Sequence, residues 1–147
     1  MINETPGNIE ELKRKARNKA SWRDRLSAVN ELKNFDCPQS RDILSRLAIH
    51  DIVFPVKEAA FRAAQAMGIQ KNGKPIFLGR KPKGNLVDGI NKKLTRVRNS
   101  LPENFCLEDF KESFQRLYPE AFDAYEGDKG EGFDRWLKNV VSILPKR

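Results

Sequence analysis

One histidine and two cysteines leave this 147-residue chain poor in metal ligands and in disulfide staples. A protein-held zinc takes four ligands, or three and a water, at motif spacing. No CxxC or HExxH occurs, and His50 is the sole imidazole. No metal and no cofactor is expected. Cys37 and Cys106 lie far apart, each flanked by residues that read as element edges. They read as reduced thiols, and a bridge between them turns on a distance that sequence does not supply. No apolar run approaches the ~20 residues that cross a bilayer, and MINETPGNIEELKRK lacks the apolar segment of a secretory signal. A cytoplasmic protein without a membrane span is expected. Glycine-rich phosphate loops and a GxSxG elbow are missing, and the acidic stretch DAYEGDKGEGFD fails the EF-hand pattern. No residue set points to catalysis, so a non-enzymatic protein is expected.

What is present is helix. The hydrophobic share, 39%, is that of a globular chain, although 33% of residues are charged. A chain of this length buries roughly 68–70% of its unfolded surface, enough to do without staples. Asn8 and Glu11 have capping-box spacing, and Ile9, Leu12 and Ala16 recur on one face, which predicts a helix over about 9–19. A second helix, from Trp22 to about Phe35, carries Leu26, Ala28, Val29 and Leu32. It stops before the breaker Asp36-Cys37-Pro38. A third bears Ile43, Leu44, Leu47 and Ala48. The fourth opens near Pro55 and closes at Gly68, where a C′ glycine belongs.

Helices two and four match at a constant offset of 32: Arg25, Ala28, Val29 and Leu32 align with Lys57, Ala60, Phe61 and Ala64. An offset of that size marks a stacked helical repeat. It predicts Val29, Leu32, Leu47 and Phe61 in one core. The segment Asp51-Ile-Val-Phe-Pro55-Val56-Lys57-Glu58-Ala59-Ala60 resembles the first helix of a HEAT repeat, and the likeness covers about residues 21–69. The resemblance implies that paired alanines let helices approach closely and that an Arg or Lys reaches the Asp of the neighbouring repeat. Lys57 stands in that basic position and Asp51 is a candidate Asp. The whole chain resembles small bacterial HEAT-repeat proteins, a likeness that brings no mechanism with it. The pattern departs at NGKPIFLGRKPKG, where prolines and glycines predict a loop with a short extended piece at 76–78. The array is thus about one and a half repeats.

Beyond residue 85, Leu86, Ile90, Leu94, Val97 and Leu101 step as one amphipathic helix. Phe110, Phe114 and Leu117 face the core of another over 107–118. A short helix over 119–125 follows, then a loop, then a last helix with Phe133, Trp136, Leu137, Val140 and Leu144. The element order is similar to a helix-turn-helix or a small bundle. The expected fold is all-α: a HEAT-like unit over 1–70, a basic connector over 71–84 and a helical bundle over 85–147.

Charge is unevenly spread. Residues 71–100 carry 9 basic and 1 acidic side chains, a net +8 that equals the charge of the whole protein. Such a segment is the footprint of a phosphate-backbone binder. The candidate nucleic-acid contacts are Arg80, Lys81, Lys83, Lys92, Lys93, Arg96 and Arg98. GRKPKG lacks the Arg-Gly-Arg-Pro core of an AT-hook. A recognition helix near 119–126 would present Glu120, Asp123 and Glu126 to DNA, so backbone contact rather than base readout is expected. A solvated surface, or attraction to an acidic protein or a membrane surface, would also account for the basic segment, and two other functions stay open. One is a HEAT-type scaffold for a protein partner, an acidic one among them. The other is a HEAT-like DNA repair glycosylase using Trp22 and Asp24, for which so short an array leaves little concave surface.

Overall fold

Side-chain caps mark where some of the helices begin. The computed structural model describes residues 1–79 and 86–146, and these form an all-α chain. Its helices are α1 (Ile9–Ala16), α2 (Trp22–Leu32), α3 (Pro38–His50), α4 (Phe54–Ala66), α5 (Ile90–Asn99), α6 (Leu107–Leu117), α7 (Pro119–Lys129) and α8 (Phe133–Ser142). A hairpin pairs β1 (Gln70–Lys71) with β2 (Lys74–Pro75). The chain divides into two compact units, Met1–Pro82 and Lys83–Arg147. Each has its own apolar core.

In the first unit, α1 ends at Ala16 rather than at residue 19, because Asn18 builds a turn. Its Oδ1 accepts from the Ala20 amide at 3.1 Å, its Nδ2 donates to Asp24 at 3.2 Å and its carbonyl accepts from Arg25 at 2.8 Å. Ser21 then caps α2, accepting from the Asp24 amide. Asn8 does not cap α1. Its amide donates to Glu31 at 3.3 Å, and no side-chain cap forms there. Cys37 caps α3 through Ser40, and Pro38 opens that helix. After α4, Gly68 takes φ +66°, and the Gly68 and Ile69 amides return to the Gln65 and Ala64 carbonyls at 3.0 Å. That is a Schellman closure, which a left-handed glycine permits.

Val29, Leu32, Leu44, Val56, Ala60 and Ala64 are wholly buried between these helices, whereas Phe61 and Leu47 are half-buried at the edge. The aligned alanines, Ala28, Ala60 and Ala64, are wholly buried, and the larger Phe61 lies at the edge of the cluster. The predicted loop after α4 contains the β1–β2 hairpin instead. Asn72 and Gly73 supply its turn with φ of 53° and 77°. Residues 76–78, where a short extended piece is expected, form no strand, and Ile76 packs on the core.

In the second unit, α5 starts at Ile90, not Leu86, because Gly89 with φ +70° interrupts a right-handed helix. Leu86 and Val87 still reach the core edge, and their amides donate to the Tyr125 hydroxyl at 3.0 and 3.4 Å. Phe110, Phe114, Phe122 and Phe133 stack edge to face in sequence, with centroids 5.3–6.4 Å apart. Tyr125 lies flat on Trp136 at 4.5 Å. Helix α7 runs on to Lys129 rather than stopping near 125, and Gly130 with φ +55° ends it. Leu117, expected in the core, is 42% exposed.

Candidate nucleic-acid interface

Helix α5 separates apolar from basic side chains by its 3.6-residue period. Ile90, Leu94 and Val97 are buried. Lys92 and Arg96, one turn apart, are exposed on another face. Lys93 is half-buried: its ammonium donates to the Asp88 carbonyl at 3.1 Å and lies 5.8 Å from the Tyr118 ring centroid. The Arg96 guanidinium reaches the Tyr118 hydroxyl at 3.5 Å. Arg98 departs from the sequence expectation. It belongs to the buried side of α5, only 9% exposed, and its guanidinium donates to Asn99 at 3.1 and 3.3 Å. Little of such a side chain is open to a phosphate in solvent. Arg80, Lys81 and Lys83 lie outside the described residues.

A basic groove in the first unit escaped the sequence reading. Lys57 from α4, Lys71 and Lys74 from the hairpin, and Ile49, Asn72, Pro75, Ile76 and Phe77 line an open groove of about 470 Å³. Lys71 faces Lys74 directly across the β1–β2 ladder. Phe77 is 86% exposed. The signal was Lys71-Asn72-Gly73-Lys74, since Asn-Gly between two short extended runs marks a hairpin that pairs its flanking lysines.

Other candidates have local partners. Asp51 accepts from Arg25 at 2.8 and 3.4 Å, and its Oδ1 also accepts from the Val53 amide at 2.9 Å. The basic partner of Asp51 is therefore Arg25, the offset-related counterpart of Lys57. Trp22 packs on the core with Arg23 stacked 4.5 Å over its ring, and Asp24 is bonded within the Asn18 turn. His50 is exposed at the end of α3. Both cysteines are free thiols, Cys37 buried and Cys106 exposed. Among the described residues, no group of His, Cys, Asp and Glu could hold a metal ion, and no helix is long and apolar enough to cross a membrane. The chain matches no protein-family model, no curated protein and no solved structure.

Proposed function

We propose a non-enzymatic binding protein that holds the phosphate backbone of a nucleic acid through Lys92, Lys93 and Arg96. Arg80, Lys81 and Lys83 add charge from the preceding segment. The one-sidedness of α5 carries this reading. Its exposed face offers cations, and no acidic residue occurs between 90 and 99. Like charges one turn apart cost a helix about 0.2–0.5 kcal/mol, and a phosphate between Lys92 and Arg96 relieves that cost. Each phosphate neutralised contributes about −0.9 to the slope of log K against log salt on duplex DNA. With Arg98 withdrawn, a slope of about −3 is expected. Changing Lys92, Lys93 and Arg96 to Ala should flatten it by about 2–3 units and weaken all sequences alike. Titration of labelled duplexes at several salt concentrations measures both. A wild-type protein that binds neither DNA nor RNA at micromolar concentration in low salt removes this reading.

A HEAT-type scaffold is the second reading, and Arg25–Asp51 favours it. The pair joins α2 to the α3–α4 junction at 2.8 Å with both side chains buried, as the HEAT resemblance implies for neighbouring repeats. A scaffold would hold a protein partner through apolar surface, and the triple change on α5 would leave that partner bound.

A further inference from the structure

The Met1–Pro82 unit carries a basic groove of its own. We propose that the groove beside the β1–β2 hairpin binds single-stranded nucleic acid, with Lys57, Lys71 and Lys74 on phosphates and a base stacked on Phe77. This deepens the nucleic-acid reading but rests on residues of the other unit.

The three lysines occupy positions that cost the fold electrostatically. Lys71 and Lys74 are direct cross-strand partners, and like charges placed so are destabilising. Lys57 is the fourth residue of α4, near the positive end of the helix dipole, where a cation is disfavoured. Nearby carboxylates do not compensate. Asp51 is committed to Arg25 at 2.8 Å, and Glu58 faces Arg62 at 4.0 Å. Among the described residues, none of the three lysines forms an ion pair. The groove therefore presents uncompensated positive charge, and an anion spanning the lysines removes their mutual repulsion.

Phe77 decides which anion. At 86% exposed it is the barest large hydrophobic side chain among the described residues, and it lines this same groove. A ring so exposed contributes little to the core, yet it offers a flat face beside three cations. Alternating phosphates and flat bases match that arrangement, because a base stacks on an aromatic ring whatever its identity. In a duplex the base faces are already stacked on each other, so only a single strand has one to offer. An acidic peptide would satisfy the lysines and leave the ring unused.

The test uses the full chain and two labelled probes: an oligothymidine of about 15 nucleotides and a duplex of the same length. Wild type is expected to prefer the single strand. Phe77→Ala should weaken single-strand binding by roughly 5- to 100-fold and leave duplex binding unchanged, while Phe77→Trp should retain it. Changing Lys57, Lys71 and Lys74 to Ala should reduce the single-strand salt slope by about 2 units. Single-strand binding indifferent to Phe77→Ala overturns the inference. So does poly-glutamate binding that needs the lysines but not the ring. If the α5 triple change flattens the duplex slope while the Phe77 and groove-lysine variants act like wild type, this inference falls and the α5 reading stands. The reverse pattern removes the α5 reading alone.

Discussion

Arg25 and Asp51 form an ion pair with side chains only 7% and 3% exposed. Removing one partner of such a pair strands the other as a buried charge, a loss of about 3–5 kcal/mol. Asp51→Ala also orphans the Val53 amide at the start of α4. Urea unfolding should place both Asp51→Ala and Arg25→Met in or near that range, because each leaves its partner's charge buried. Asp36 gives a pH signature. The Arg41 guanidinium, 2.6 Å away, holds its carboxyl below the usual carboxylate range through a hydrogen bond, outweighing desolvation. A carboxyl with a depressed folded-state pKa adds stability that is present above the unfolded value of about 3.9. That stability is lost as pH falls through the folded value. Thermal melts of wild type should therefore drop below about pH 4, and Asp36→Asn should show a smaller acid drop and a lower Tm at neutral pH. The same Arg41 also donates to the Met67 carbonyl at 3.1 Å, tying α3 to the end of α4.

Between elements, the offset of 32 pairs equivalent residues that packing treats unequally. Ala28 with Ala60, and Leu32 with Ala64, are wholly buried, whereas Val29 is buried and its counterpart Phe61 is half-exposed. A repeat needs a further helix on its outer side to bury both members alike, and here a hairpin follows α4 instead. Leu32→Ala should cost about 2–5 kcal/mol as a core cavity. Phe61→Ala, at an edge that can partly refill with solvent, should cost roughly 1–2 kcal/mol, less than a core Phe truncation. Equilibrium unfolding of the two variants ranks them, and a larger loss at Phe61 would place it inside the core.

At the scale of the whole molecule, the chain holds two apolar cores, one in each compact unit. The Met1–Pro82 unit carries 16 basic and 9 acidic residues, a net +7, and the Lys83–Arg147 unit 12 and 11, a net +1. The +8 of residues 71–100 thus divides evenly across the boundary, +4 on each side, and the second unit's share is offset by the net −3 of residues 101–147. A core of fifteen buried residues, from Leu12 to Ile69, lies within that unit. Domains of ~80 residues fold alone when they hold such a core. A fragment of residues 1–82 should therefore melt cooperatively as a monomer. Concentration-dependent association of the fragment in sedimentation would show that its apolar surface needs the other unit.

The all-α class, the order of the helices and most core positions follow from periodicity and breakers that any 3.6-residue reading finds: Leu12, Val29, Leu44, Leu94, Phe110 and Leu137 are all buried. These signals are local, so sequence alone determines them. Helix ends were less legible, because Asn18 and Gly89 act through turn geometry that competes with propensity. Residues 90–99 show why site residues were harder still. Lys92, Lys93, Arg96 and Arg98 look alike as a charge count, yet Arg98 lies on the buried side and Lys93 leans on Tyr118. Which cation meets solvent depends on neighbours from helices distant in sequence. The groove of Lys57, Lys71, Lys74 and Phe77 is likewise a product of tertiary structure, since the hairpin folds back on itself and brings its lysines beside one from α4.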